Sequence, residues 1–449
     1  MSKQRIQLSD HFTYSRLLRF VLPCIGTMLF TSIYGIVDGL CVSNFVGKTA
    51  FAAVNLIMPL PMLLGTIGFM LGTGGSAIVG ITLGEGDQKK ADRYFTLFLL
   101  AALVSVSVLA VLGIVFLRPI AVLLGAKGEL LDYAVRYGRI LMVSLPTFAL
   151  QNMFQSFFVT AEKPHLGFWF TVGAGCTNMV LDVLMVGVWG WGVEGAAIAT
   201  FISQLVGGVL PVFYFIDRSN SSRLHLCQTK FYGGVLRDAC INGSSELMTN
   251  LSMSLVNILY NYQLLRLAGE NGVAAYGVIM YAAFLFVAVF VGYAVGSAPI
   301  VSFHYGARNH AEVHNLYRKS LRLIAVVAVT LTLASMFIIP CVARVFVGYD
   351  AELLALTSRA FRLYALSFLI MGFNVYASSF FTALGDGVTS ALISFLRTLA
   401  FQVIAILLLP MLLGIDGIWL AVTAAELAAL AVSAAMLLTK DKVFHYRKA

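Results

Sequence analysis

The stretch LLRFVLPCIGTMLFTSIYGIVDGLCVSNFVG, Leu17 to Gly47, reads as one apolar run. Between Arg19 and Lys48 it holds a single charged residue, Asp38. A helix that crosses a bilayer needs about 20 predominantly apolar residues, and this run exceeds that. A carboxylate deep in such a run is costly in lipid, so it faces a cavity or a partner and marks a functional position.

Runs of the same kind recur outward from this one along all 449 residues, which are 59% hydrophobic and only 11% charged. A soluble domain is about half apolar and a quarter charged. The runs predict twelve spans, near 15–41, 51–83, 90–117, 130–160, 165–188, 195–216, 236–268, 271–303, 314–340, 353–384, 388–411 and 415–439. Barrel strands would instead show short alternating segments. The expected fold is an all-α integral membrane protein. The first run is too long for the apolar region of a cleavable signal and lacks a small-residue cleavage pattern.

Charge sets the expected orientation. With the amino terminus inside, the loops and tails facing the cytoplasm carry 20 Lys and Arg against 9 outside, with Arg397 in span 11 assigned to neither. The positive-inside rule then places both termini and the loop between spans 6 and 7 in the cytoplasm of a multi-pass inner-membrane protein. That bias accounts for the net charge of +9 without nucleic acid. GEGDQKKADR (Gly84 to Arg93) lacks the GxxxxGK[ST] arrangement, which argues against a nucleotide-driven pump. The six cysteines show no metal-ligand spacing, and no HExxH or nucleophile–base set is visible, which argues against an intramembrane enzyme and against a bound cofactor.

The chain repeats itself with a shift of about 222 residues. AAVNLIM (Ala52 to Met58) matches AAYGVIM (Ala274 to Met280), and GSAIV (Gly75 to Val79) matches GSAPIV (Gly296 to Val301) with one inserted residue. LGAKGELL (Leu124 to Leu131) matches VGYDAELL (Val347 to Leu354), QSFFVTA (Gln155 to Ala161) matches SSFFTAL (Ser378 to Leu384), and GVEGAAIA (Gly192 to Ala199) matches GIDGIWLA (Gly414 to Ala421). Six spans per repeat keep the inside-to-outside sense, so the halves are parallel and related by an axis along the membrane normal. The expected organisation is an amino-terminal lobe over 1–216, an inter-lobe loop over 217–237 and a carboxy-terminal lobe with a short tail over 238–449. Two pseudo-symmetric six-helix bundles around a central cleft suit alternating access.

The intramembrane acids are Asp38 in span 1, Asp182 in span 5 and Glu246 in span 7, with Glu426 in span 12 a weaker fourth. The repeat maps Asp38 to Tyr260, Asp182 to Ile404 or Ala405, and Glu246 back to about Cys24. A scaffold that forms without acids at those mates does not need them for architecture. Asn178 lies one helical turn before Asp182 on the same face, and Thr200 in the next span offers a hydroxyl. Burial and a neighbouring carboxylate both disfavour the charged form, which suits a group that takes up and releases a proton. Two carboxylates with amide and hydroxyl oxygens equally suit sodium, so the coupling ion stays open. Glu246, flanked by Asn242 and Asn250, either holds a cationic substrate, carries a proton or satisfies the asparagines. Met153 and Phe154 in span 4 are candidate contacts for flat cations through polarisable and cation–π packing. Arg397 is expected to extend toward the cytoplasmic face.

YGIVDGLCVSNFVG (Tyr34 to Gly47), GFMLGTGGSAIVGITLGEGD (Gly68 to Asp87), CTNMVLDVLMV (Cys176 to Val186), GVAAYGVIMY (Gly272 to Tyr281) and GSAPIVSFHYGARN (Gly296 to Asn309) together resemble the multidrug and toxic compound extrusion family, in its branch of DinF-like and MepA-like bacterial exporters. The resemblance covers nearly the whole chain. It implies a two-lobed antiporter that expels organic cations and amphipathic drugs in exchange for protons or sodium. It also implies that Asp38, Asp182, Asn178 and Thr200 form the ion-coupling cluster, and that Asn152 and Gln155 line the same region. A lipid-linked precursor flippase of related architecture is the alternative, although it would favour several basic residues in the cleft. The partners expected are small-molecule drugs and the bilayer, with no obligate protein partner.

Overall fold

A computed structural model describes residues 6–46, 48–348 and 350–447, without the side chains at 39–45, 48, 51, 340, 342, 345 and 346. The terminal Lys3, Arg5 and Lys448, together with Gly47 and Tyr349 of the quoted motifs, lie outside the described residues, as does the Lys48 side chain. The described chain is helical almost throughout. The first half comprises α1 (Tyr14–Phe45), α2 (Lys48–Ile57), α3 (Pro59–Gly84), α4 (Gln88–Leu123), α5 (Gly128–Thr160), α6 (Pro164–Asp182), a π-helical segment Val183–Val188, α7 (Gly192–Gly208) and α8 (Leu210–Ile216). The second comprises α9 (Gly233–Gly306), α10 (His310–Val347), α11 (Ala351–Ala365), α12 (Phe368–Ala383), α13 (Gly387–Phe395), a second π segment Leu396–Ala400, α14 (Phe401–Leu413), α15 (Ile415–Thr439) and α16 (Asp441–Phe444).

Nine helices among the described residues are long and apolar enough to cross a membrane, or ten when α11 and α12, bent by 46°, form one span. The long α9 is two rods, because Gly269 leaves helical geometry at φ 60° and ψ −151°; only a residue without a β-carbon adopts that conformation readily. The remaining rod is α5, whose charged first turns (Glu129, Asp132, Arg136, Arg139) and polar last turns (Gln151, Asn152, Gln155) lower its hydropathy. The rods follow the twelve expected spans, six in each half.

The repeat extends to backbone geometry. Gly86 at φ 87° has Arg308 at φ 56° as its mate, Glu162 at φ 61° has Gly385 at φ 83°, and Gly192 at φ 60° has Gly414 at φ 59°. Both halves therefore turn with left-handed residues at matched places, though two of the six carry side chains that disfavour that conformation. The caps repeat as well. Asp87 accepts from the Lys90 amide at 3.0 Å and its mate Asn309 from the Glu312 amide at 3.1 Å, each satisfying a donor that the first helical turn leaves free.

The two halves meet tightly along one end. α3 and α9 touch through glycines, and a β-carbon at Gly243 would lie 1.9 Å from the Met70 carbonyl oxygen. One at Gly306 would lie 2.0 Å from the Ile81 oxygen, and one at Gly84 2.0 Å from that of Phe303. Small residues permit such backbone contact between helices in lipid. Gly243→Ala is therefore expected to destabilise the protein by about 1–3 kcal/mol, the range for overpacked contacts. The measurement is thermal unfolding of purified protein; an unchanged midpoint would mean that the halves part here without cost.

A strap before α1 closes the same end. The Leu8 amide donates to Glu162 Oε1 at 2.9 Å, and Arg223 of the inter-lobe loop donates to the same oxygen at 2.6 Å. Four residues on, the Phe12 amide donates to Glu312 Oε1 at 2.9 Å and Lys319 donates to the Phe12 carbonyl at 2.7 Å. Glu162 belongs to the first half and Glu312 to the second. Leu8 and Phe12 are fully buried. In the inter-lobe loop, hydrogen bonds from the Ser219 hydroxyl and amide hold the Asp217 carboxyl below the usual range.

Candidate functional site

Asp182 ends α6 and is fully buried. The helix then widens into the π segment, where the Trp189 amide reaches the Leu184 carbonyl, five residues back, at 2.8 Å. Such insertions are frequent at functional sites because they re-aim the side chains around them. Asp38 approaches from α1, which packs on α6. The two carboxyl groups face each other closely enough to interact directly, yet neither Asp182 oxygen has a hydrogen-bond partner of ordinary geometry among the described residues. The buried amide nitrogens of Asn178 and Asn152 are likewise unpartnered among them. Tyr137 of α5, buried and within charge-interaction range of both acids, joins them. Sequence reasoning missed it, since one tyrosine among 18 carries no distinguishing pattern. The Thr200 hydroxyl donates to the Ala196 carbonyl at 3.0 Å, back along its own helix, and so reaches neither acid as a donor.

This arrangement holds two acids facing each other, with unpartnered acceptor oxygens on Asp182 and unpartnered amide donors on Asn178 and Asn152 among the described residues. Such a pocket either shares a proton or offers hard oxygen ligands to a small cation. No group of three or more metal-binding side chains occurs among the described residues, so a sodium ion here would need amide, hydroxyl or carbonyl oxygens besides the two carboxylates.

The second half holds a different polar set. Glu246 lines a cavity of about 120 Å³ with Ser76, Ser156, Thr249, Ser378 and Arg397, drawn from both halves. Its carboxylate satisfies neither flanking asparagine. Asn242 donates to the Thr382 carbonyl at 2.9 Å, and Asn250 donates to the Glu246 backbone carbonyl at 2.9 Å. The carboxylate therefore does not serve to satisfy these two asparagines. Arg397, expected to extend toward the cytoplasm, instead turns inward from its π segment. Its Nε stands 3.8 Å from Glu426 Oε1, and it also faces Glu246. Glu426 is fixed by Asn374, which donates to its Oε2 at 2.7 Å, and Ser433 donates to Asn374 at 2.9 Å. Nothing in the sequence singles out Asn374 or Ser433.

Neither Met153 nor Phe154 lines the Glu246 cavity. Both are buried inside the first half, where Phe154 stacks on Phe215 with centroids 5.6 Å apart and the Met153 backbone abuts Gly72. Ser156, one turn on from Met153, is the α5 residue that reaches the Glu246 cavity. Gln155, next to Phe154, is half-buried and lines a small gap against Cys24, Thr27 and Val295 between the halves.

Among curated proteins, the chain is similar to the multidrug export protein MepA of Staphylococcus saprophyticus, at 21% identity over 436 residues covering 96% of this chain and 95% of that protein. MepA of Staphylococcus aureus is 22% identical over 433 residues with the same coverage. Among solved structures, an outward-facing multidrug resistance MATE family transporter of the MOP superfamily superposes with a TM-score of 0.92 at 22% identity, covering 100% of both chains. A MOP superfamily transporter from Pyrococcus furiosus, whose binding pocket is described as reversed in polarity, superposes at 0.90 and 22% with the same coverage. The family's own sequence model matches this chain once in each half, over residues 23–184 and again over 247–408, and the chain belongs to the MatE family.

Proposed function

We propose that the chain is a secondary multidrug exporter that admits a cation, proton or sodium, at Asp38 and Asp182 and expels organic cations and amphipathic drugs past Glu246. The observation that carries the coupling half is the pair of facing carboxyl groups on neighbouring helices, with the Asp182 oxygens unpartnered among the described residues. A neutral or cation-bound pair tolerates lipid where a doubly charged one does not, so cation occupancy selects between two arrangements of the lobe. The drug half is supported by the MepA relatives and by the Glu246 carboxylate in a cavity shared by both halves. The two lobes, 1–216 and 238–449, would rock about the loop 217–237. The test is drug efflux from vesicles with proton and sodium gradients imposed separately; efflux that responds to neither would refute coupled antiport.

The Lys and Arg distribution supports an inner-membrane protein with the inter-lobe loop and both termini in the cytoplasm. Single cysteines placed at Ser219 or Ser221 in a cysteine-free background are then expected to resist an impermeant thiol reagent in intact cells and to react after lysis. Labelling from outside would reverse the orientation.

A further inference from the structure

We infer that Arg397 is the anion-recognising centre of a second drug subsite, one that takes aromatic carboxylates, including zwitterions whose amine reaches Glu246. The reading goes beyond cation export and is a statement about binding, independent of coupling.

Arg397 lines two cavities. One is the small polar space with Glu246. The other, of about 400 Å³, is lined by Tyr260, Tyr276, Met280, Phe284 and Glu426 of the second half and closed by Met62 of the first. Tyr260 and Tyr276 stack with centroids 5.0 Å apart and an interplanar angle of 14°. Tyr260 is the repeat mate of Asp38. Where the first half presents a carboxylate, the second therefore presents a flat aromatic wall beside a cation.

The guanidinium is under-used. It carries five N–H donors in a planar fork that matches a carboxylate with two parallel bonds. Its side chain is 15% exposed, and its one ion pair among the described residues is the 3.8 Å approach to Glu426, longer than a hydrogen bond. Glu426, meanwhile, already accepts from Asn374. A half-buried, underbonded guanidinium gains most from an acceptor that arrives with two oxygens. A flat ligand with its ring against Tyr260 and Tyr276 can present a carboxylate there, because Arg397 lines the same chamber. An amine on that ligand would meet Glu246 in the adjoining space. Arginine rather than lysine at this position fits bidentate recognition, since an ammonium supplies only a point charge.

The probes are a rhodamine free acid and its methyl ester, which share one ring system and differ in the carboxylate. Binding is read by fluorescence anisotropy on the purified full-length protein. Arg397→Lys is expected to weaken the free acid by about tenfold or more, the scale of a lost charge-assisted pair, and to move the ester by less than about twofold. Glu426→Gln, which removes the competing carboxylate and keeps shape, is expected to tighten the acid and leave the ester unchanged. It also keeps the test decisive if the arginine variant fails to fold. Benzoate in excess should displace the acid and spare the ester. Equal changes for both dyes in the variant that folds, or no change for either, overturn the proposal. Displacement of the acid by phosphatidylglycerol but not by benzoate would assign Arg397 to a lipid headgroup and overturn it too.

Discussion

Asp182→Asn is expected to reduce gradient-driven drug efflux to the leak of protein-free vesicles, and Asp38→Asn to do the same. Asparagine keeps the size and hydrogen-bonding shape of aspartate but neither gains nor loses a proton and brings no charge to a cation. In the structure the two acids face each other, and the Asp182 oxygens are unpartnered among the described residues of a buried site. Two desolvated like charges oppose folding rather than support it. Neutralising one should therefore leave the thermal unfolding midpoint unchanged or raised while transport disappears. That combination separates a coupling role from a structural one, because loss of a structural network lowers both. Wild-type efflux in either variant at matched protein level would sink the assignment.

Glu246→Gln carries the second large effect. The carboxylate lines the shared cavity without bonding Asn242 or Asn250, so its charge is available to a ligand. Binding of a cationic drug should weaken by about tenfold, the scale of one charge-assisted contact. A neutral drug of the same size should change by less than about twofold. Equal loss for both, measured on purified protein, would mean that Glu246 shapes the cavity without reading charge. The opposite charge that acts on it is Arg397, so removing the acid also leaves that arginine with Glu426 alone.

The architecture was largely legible because hydropathy and charge are summed over long runs. The break at Gly269 falls where two expected spans abut, and a glycine there is readable. The bend between α11 and α12 is not, since Leu366 and Ser367 carry no proline or glycine to announce it. The facing of Asp38 and Asp182 was suggested by their rarity in apolar runs. The features that stayed hidden depend on direction. A π turn inserts one residue without a compositional mark and so rotates the later turns of its helix by about 100°, and Arg397 points inward from such a segment instead of outward to water. Met153 and Phe154 sit on a helix that is apolar on several faces, so periodicity could not separate the core side from the cavity side.

The strap from Leu8 to Phe12 makes the resting direction of the exporter an adjustable quantity. It is threaded across both halves and held by two buried glutamates, Glu162 and Glu312. Glu162 holds its place in a left-handed turn where its repeat mate is Gly385, so the first half gave up an easy backbone to gain a hook. A hook worth about 1.4 kcal/mol and made in only one of two states would shift their balance about tenfold. Events at the amino terminus that never touch a drug, such as a shortened tail or a fused tag, would then set which way an idle molecule faces.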